Sequence, residues 1–220
     1  MRTILVIFLL TTIWTASNGQ QRKPSKRKVE ASRKYDKYND SNSDFLFRFD
    51  AGVFIPIDNL KKTLNTSFQT ALYFGAPIND KFRIDLGASL FFPHNSQTVD
   101  YFLPDTTLTG KLNLGITMGV WGTHHIRLSE KYCLDNRIGT GVGSLATNIK
   151  TNKPKSENNN YYSADTMFLN FGTNFRRILQ GGGGVGLSFN YYIVPYNAFK
   201  ERLASDIGMQ YATMSLSFSW

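Results

Sequence analysis

Few side chains in this sequence have the type and spacing that catalysis requires. His94 and Ser96 stand two residues apart, and a histidine that activates a serine hydroxyl is the arrangement found in acyl hydrolases. Such a pair also needs a carboxylate to orient the imidazole, and Asp100 and Asp105 are the nearby candidates. Nothing in the spacing selects either aspartate. We therefore expect a non-enzymatic protein, with a hydrolase at 94–96 as an alternative to an ordinary loop histidine and serine.

The sequence favours neither a metal site nor a cofactor site. His124 and His125 are adjacent, so on a strand their side chains point to opposite faces and cannot share an ion without further ligands. Cys133 is the single cysteine, which excludes an internal disulfide framework and a cysteine-based zinc cluster. We interpret it as a packed or lipid-facing small apolar residue. The glycine-rich stretches at 139–143 and 181–184 precede no predicted helix that would hold a phosphate. We expect neither a metal nor a cofactor.

Opposite charges recur two residues apart, where the side chains of a strand share one face. The pairs are Arg48 with Asp50, Arg83 with Asp85, and Asp135 with Arg137, and the same inner face is predicted to carry Lys111 and Arg176. Buried charges are tolerated only when they are paired. We therefore predict that ion pairs and hydrogen bonds fill the interior of a barrel. A narrow ion path is the alternative.

The strands that would position these charges follow from the alternation of apolar and polar residues. Eight such stretches are predicted, at 44–56, 66–78, 81–93, 107–127, 132–149, 161–178, 185–197 and 206–220. Short connections alternate with longer ones, as periplasmic turns alternate with extracellular loops in outer-membrane barrels. Eight strands enclose an interior that side chains can fill. The predicted fold is all-β: an eight-stranded antiparallel up-and-down transmembrane β-barrel over 44–220.

The last predicted strand runs to the final residue of the chain. Its apolar face ends on Leu216, Phe218 and Trp220, and its other face carries Ser215, Ser217 and Ser219. An aromatic final residue is typical of the last strand of bacterial outer-membrane barrels. We therefore predict that Phe218 and Trp220 belong to an assembly-recognition signal.

Two further segments precede the predicted barrel. Residues 1–19 combine Arg2, an apolar run and small residues at 17–19, as in a secretory signal peptide; a buried N-terminal helix is the alternative. Residues 20–43 are almost free of apolar side chains and cannot form a core, so we predict a disordered periplasmic tail. It is either simply solvated or a basic arm for an acidic partner or anionic lipid head groups. The arm residues are Lys26, Arg27, Lys28, Arg33 and Lys34.

These features together resemble the small outer-membrane barrels of the outer-membrane protein A and X type. In overall layout the chain also resembles the outer-membrane β-barrel family common in Bacteroidetes-type bacteria. The resemblance covers 44–220 and contains no motif that specifies an activity. It implies a bacterial outer-membrane location, both mature termini in the periplasm, and contact with outer-membrane lipid and lipopolysaccharide. The net charge of +9 is not gathered on one dense face, and with an export signal we exclude nucleic acid as a partner.

Three functions remain open on this basis. The first is an accessory subunit of a larger outer-membrane assembly for protein secretion or outer-membrane protein insertion, since a small closed barrel offers neither a pore nor a large cavity. The second is a surface-binding or adhesion barrel that works through loops at 94–106 and 151–160. The third is a lipid A-modifying hydrolase, because His94 and Ser96 are similar to the His-x-Ser pair of the outer-membrane lipid A deacylase family.

Overall fold

Alternating side chains give each strand of this protein one apolar and one polar face, and such strands bury their polar face by closing into a ring. The computed structural model has this form, a closed antiparallel barrel. The structure describes residues 46–95, 97–103, 106–150, 161–179, 183–196 and 208–220. The predicted signal peptide at 1–19 and the predicted tail at 20–43, including the basic arm, lie outside the described residues.

Twelve strands and one short helix make up the described chain. In order they are β1 (Leu46–Ile57), α1 (Leu60–Thr63), β2 (Leu64–Asn65), β3 (Ser67–Pro77), β4 (Phe82–Phe91), β5 (His94–Asn95), β6 (Val99–Leu103), β7 (Thr106–Gly110), β8 (Leu112–Arg127), β9 (Tyr132–Lys150), β10 (Tyr161–Ile178), β11 (Gly184–Ile193) and β12 (Gln210–Ser219). Around the barrel the order is β1, β3, β4, β8, β9, β10, β11 and β12, and β12 closes on β1. The predicted eight-stranded fold is confirmed. Among the described residues, no helix is long and apolar enough to cross a membrane.

The two ends of the barrel differ in their connections. The turns at 78–81 and 128–131 lie at one end, together with the end of β10, the start of β11, the start of β1 and the end of β12; we call this the turn end. Asn79 Oδ1 accepts the backbone N–H groups of Lys81 at 2.9 Å and Phe82 at 3.0 Å, which holds the first turn tight. The opposite end, the loop end, carries the longer connections, with β2 paired to β5 and β6 paired to β7.

The barrel closes along the seam between β1 and β12. The pairing runs from Arg48 opposite Ser219 to Ile57 opposite Gln210. One residue beyond the end of β12, Trp220 continues the pairing with β1. Phe47 N–H donates to the Trp220 carbonyl at 3.0 Å, and Trp220 N–H donates to the Phe47 carbonyl at 3.0 Å. Their rings lie 4.9 Å apart. The final residue of the chain therefore takes part in barrel closure.

Large apolar side chains cover the outside of all eight barrel strands. Phe68 and Leu72 on β3, and Leu216 and Phe218 on β12, are examples of side chains that are exposed although they are strongly apolar. Leaving apolar area in water costs about 25 cal/mol per Å², whereas a hydrocarbon surrounding removes that cost. A closed barrel also pairs its backbone polar groups within the sheet, as a bilayer requires. The exterior is therefore that of a membrane-spanning barrel.

The fourth predicted strand, at 107–127, differs from the structure. It divides into β7 and β8, and the pairing of β8 with β9 shifts in register between Leu112 and Leu114. The irregularity reverses the phase of alternation, so Leu112 is buried inside while Lys111 is exposed. The predicted inward position of Lys111 is wrong.

Candidate functional site

Charged side chains line the lumen near the turn end. The inward positions of the strands bring them there, because each lies on the face opposite the apolar exterior. We call this set the charged layer; its members are Arg48, Asp50, Arg83, Asp85, His125, Asp135, Arg137 and Arg176. All six residues of the predicted ion pairs lie in this layer, and Arg176 joins them.

The first predicted pair is present at the β1 side of the layer. Arg48 Nε lies 3.2 Å from Asp50 Oδ1, and both side chains are almost fully buried. The Arg48 guanidinium also lies over the Tyr73 ring, 3.9 Å from its centroid. Among the described residues, no well-aligned hydrogen bond reaches the Arg48 nitrogens. Charge attraction and the cation–π contact therefore hold this arginine.

The second predicted pair is also present. Arg83 Nε and Nη2 donate to the two carboxylate oxygens of Asp85, the fork-to-fork geometry that suits a guanidinium and a carboxylate. The Thr123 hydroxyl donates to Asp85 Oδ2 at 2.6 Å. Asp85 is thus engaged on both of its oxygens, as a buried carboxylate requires.

The third predicted pair needs correction, because Asp135 takes other partners than Arg137. Asp135 Oδ2 lies 3.3 Å from Arg176 Nη2 and 3.8 Å from Arg83 Nη2, and Asp135 Oδ1 lies 2.6 Å from His125 Nδ1. These partners lie on β8, β10 and β4, whereas the Arg137 guanidinium is hydrogen-bonded to Ser188 and Asn190 on β11. The Asp135 carboxylate therefore pairs with side chains of other strands rather than along its own strand.

Arg137 is held by neutral acceptors. Its Nη2 atom donates to Ser188 Oγ at 2.9 Å and to Asn190 Oδ1 at 2.8 Å, both on β11. Within the described part of the chain, no carboxylate pairs with this guanidinium. The charged layer is thus centred on Asp135, which joins β4, β8 and β10.

Three possible metal ligands, one of which is Asp135, lie close together in the lumen. The donor atoms of His125, Cys133 and Asp135 all lie within 4.8 Å of one another. The guanidinium groups of Arg83 and Arg176 contact the same carboxylate, so a cation there would meet two positive charges. Cys133 is buried, and its thiol lies 3.7 Å from the Arg176 carbonyl. It is therefore packed inside the barrel and does not face lipid. The charges favour an ion-pair hub over a metal centre.

Aromatic side chains fill the lumen from Tyr73, which is paired across the sheet with Arg48 of the charged layer, toward the loop end. We call this set the aromatic layer; it consists of Phe54, Tyr73, Phe91, Trp121, Phe168, Tyr192 and Tyr211. The rings of Phe54 and Phe91 stack at 4.3 Å, and those of Tyr192 and Tyr211 at 4.5 Å. Trp121 Nε1 donates to Asn170 Oδ1 at 2.8 Å. The described lumen is therefore filled by side chains in both layers.

The aromatic layer was not predicted as a unit from the sequence. Its members share the strand phase of the polar inward residues; Phe168, for example, lies two positions before Asn170. Large aromatic residues in the polar phase of several strands were the signal that could have revealed it.

The residues of the hydrolase alternative lie at the loop end. His94 is exposed on β5 and pairs with Asn65 of β2. Asp100 belongs to the other small sheet, where its Oδ1 atom accepts the Thr109 hydroxyl at 2.8 Å. Ser96 and Asp105 lie outside the described residues. The described part of the chain therefore does not bring His94 and Asp100 together on one sheet.

The predicted assembly residues lie on the outside at the turn end. Phe218 is exposed on the outer face of β12, and Trp220 is 61% exposed beside Phe47. The two histidines of β8 point to opposite faces, as predicted: His125 contacts Asp135 in the lumen, while His124 stacks outside on Phe82 at 4.8 Å.

This chain is similar to known proteins in its fold rather than in its sequence. No protein-family model matches the sequence, and no curated protein matches it. The crystal structure of Neisserial surface protein A is similar over 80% of this chain and 96% of that chain, with 9% identity and a TM-score of 0.56. At that identity the likeness concerns the fold.

Two other solved structures are similar, with lower TM-scores. The attachment invasion locus protein of Yersinia pestis, in complex with the heparin analogue sucrose octasulfate, has 10% identity, coverage of 80% and 95%, and a TM-score of 0.44. The N-terminal β-barrel domain of Pseudomonas aeruginosa OprF has 9% identity, coverage of 80% and 98%, and a TM-score of 0.42. All three are small outer-membrane β-barrels, and the likeness to Neisserial surface protein A supports the same fold class for this chain.

Proposed function

We propose that this chain is a non-enzymatic integral barrel of the bacterial outer membrane and an accessory subunit of a larger outer-membrane assembly. Machinery for protein secretion or for outer-membrane protein insertion is the kind of assembly intended. The filled lumen is the observation that carries the proposal. Because the charged and aromatic layers occupy the described interior, the barrel offers its outer surface and its two ends to other molecules.

The orientation and the leader are part of this proposal. Residues 1–19 act as a signal peptide, and both mature termini lie in the periplasm. In support, β1 starts and β12 finishes at the turn end, where short periplasmic turns are expected in this class. The basic arm within 20–43 precedes β1 and is thus attached at the same end. An acidic protein surface in the periplasm is its proposed partner.

Adhesion through the loop end is the second candidate, and strand length favours it. β9 has 19 residues and β10 has 18, whereas crossing the hydrocarbon layer takes about 9–11. Both strands begin or end beside the turn end, so their extra length extends toward the loop end. A sheet that projects from the membrane is a surface that an external ligand could contact.

Purification under mild detergent distinguishes these two functions. The tagged chain is expressed at native level in three forms: the full sequence, a form lacking 20–43 with the leader kept, and a form lacking 151–160. We expect the full chain and the loop deletion to recover stoichiometric proteins, and the tail deletion to lose them. A monomer without partners from the full chain would contradict the proposal. Adhesion would be supported instead if cells that express the loop deletion lose surface binding while cells that express the other two forms keep it.

Two controls complete the experiment. Each form must show the heat-modifiable gel mobility of a closed barrel, so that a folding defect is not taken for a lost contact. Lipid A from cells that express His94→Ala or Ser96→Ala is compared with lipid A from cells with the unchanged protein. We expect no difference, and a change in acylation would revive the hydrolase alternative.

A further inference from the structure

The apolar outside of the barrel contains a cluster of polar side chains on three adjacent strands. His124 on β8 is paired across the sheet with Asn136 on β9, and Asn136 is paired with Thr173 on β10. All three face outward, since a directly adjacent residue on each strand (His125, Asp135 or Asn174) faces the lumen. We call this cluster the polar row.

Apolar side chains border the polar row on both sides. Toward the turn end the next outward positions are Ile126, Leu134 and Phe175, and toward the loop end they are Gly122, Ile138 and Phe171. His124 lies four positions before Leu128 at the turn, or about 13 Å along the strand. On the β4 side the row reaches the first turn, since His124 is paired with Phe82 and the His125 N–H donates to the Lys81 carbonyl at 2.7 Å. Along β8, β9 and β10 the polar row therefore lies between apolar residues of the outer surface.

The row retains hydrogen-bonding capacity that hydrocarbon cannot satisfy. Thr173 Oγ1 donates to Asn136 Oδ1 at 3.0 Å, which orients the Asn136 amide. No acceptor among the described residues contacts the Asn136 Nδ2 group. The His124 ring is stacked on Phe82 with an interplanar angle of 23°, and a neutral imidazole offers one donor and one acceptor. Polar groups that face lipid are costly and mark a function or a contact.

We propose that the polar row is the contact face of a symmetric dimer formed with a second copy of this chain in the same membrane. The row contains a donor, the Asn136 amide, and an acceptor, the His124 imidazole, so it is complementary to itself. A two-fold axis along the membrane normal sets His124 of one copy opposite Asn136 of the other, and the same contact forms twice.

The neighbourhood of the row allows two barrels to approach closely. Gly122 lies next to His124 on the outer face, and the space where its Cβ would stand holds no atom nearer than the Ile138 carbonyl oxygen at 4.0 Å. Small residues at membrane interfaces let backbones come together. Thr70 on β3, in contrast, is an outward threonine between Phe68 and Leu72, and it serves as the matched control on another face.

Sedimentation equilibrium of the mature chain in density-matched detergent tests the dimer. We compare the unchanged chain with His124→Leu, Asn136→Leu and Thr70→Leu. The unchanged chain and Thr70→Leu should dimerise with the same Kd. Each row variant removes both symmetry-related hydrogen bonds, so its Kd should rise about tenfold. A row variant with unchanged Kd would overturn the proposal.

Crosslinking in intact membranes covers the case in which detergent separates the copies. Gly122→Cys is made in a Cys133→Ser background and treated with a short bismaleimide, with Thr70→Cys as the control. An adduct of twice the monomer mass from Gly122→Cys alone is expected. No adduct, or an adduct with a different protein, refutes self-association; the second result would assign the row to another membrane protein.

These outcomes are separable from those of the proposed function. If His124→Leu abolishes the dimer and still recovers the tail-dependent partners, both proposals hold independently. If the full chain dimerises but recovers no other protein, only the accessory-subunit proposal fails.

Discussion

Replacing Asp135 with asparagine is the sharpest test of the charged layer. The carboxylate contacts Arg176, Arg83 and His125, and its side chain is 1% exposed. Removing one member of a buried ion pair leaves its partner uncompensated and costs about 3–5 kcal/mol. Arg83 keeps Asp85, and the His125 side chain is 28% exposed, so water and a second carboxylate offset part of the loss. We therefore expect the free energy of unfolding to fall by about 3 kcal/mol, the lower end of that range.

Denaturant unfolding of the barrel in lipid vesicles measures this change. Unfolding is followed by tryptophan fluorescence and by gel mobility, and the free energy is obtained by linear extrapolation. Arg137→Gln is the control, because Arg137 lies in the same layer but donates to neutral Ser188 and Asn190. It should cost clearly less than Asp135→Asn. Adding Arg176→Met to Asp135→Asn should recover part of the loss, with a coupling of about 1–3 kcal/mol.

Either of two results would contradict the role of Asp135 as an ion-pair hub. The first is a loss below about 1 kcal/mol in Asp135→Asn, which would mean that water already solvates the layer. The second is a loss in Arg137→Gln that equals or exceeds the loss in Asp135→Asn, since that would restore the predicted pairing of Asp135 with Arg137.

Four further predictions concern the seam, the packing at two glycines and the thiol. Deleting Trp220 should lower the heat-modifiable, membrane-inserted fraction, because it removes a backbone pair from the closing seam; Trp220→Phe should retain most of it. Gly115→Leu should lower the free energy of unfolding by about 1–3 kcal/mol, since the Phe91 ring occupies the space of its Cβ. Gly122→Ala should stay within about 0.5 kcal/mol in the same denaturant series, because that space is open. Cys133 should react with a maleimide only after unfolding, and rapid labelling of the folded barrel would contradict its burial.

Much of the fold was predictable because every barrel strand repeats the same physical pattern. A strand with lipid on one side and a polar lumen on the other must alternate, so its extent can be read directly; β10 was predicted at 161–178 and spans Tyr161–Ile178. The alternation of short and long connections then fixed the up-and-down order. The inward positions of Arg48, Asp50, Arg83 and Asp85 followed from the same phase.

The contacts between strands could not be predicted in the same way. Which side chain meets Asp135 depends on the register of three strands, and one sequence does not contain that register. The bulge near Leu112 reversed a phase that the apolar pattern continued without a break. Trp121 and Phe168 share the phase of polar neighbours, so the pattern alone did not distinguish an aromatic filling from a polar one.

The separation of the lumen into two layers also bears on how the chain enters a bilayer. Under the proposed orientation, the loop end crosses the membrane first, and the lumen portion that follows it most closely is aromatic. The charged layer remains near the leaflet from which insertion begins, close to the turns. A charged side chain at the bilayer centre costs about 2.5–3.5 kcal/mol or more, so carrying these residues only a short distance lowers the barrier of the crossing step. The position of the charges along the barrel axis would then set the rate of insertion separately from the stability of the finished barrel.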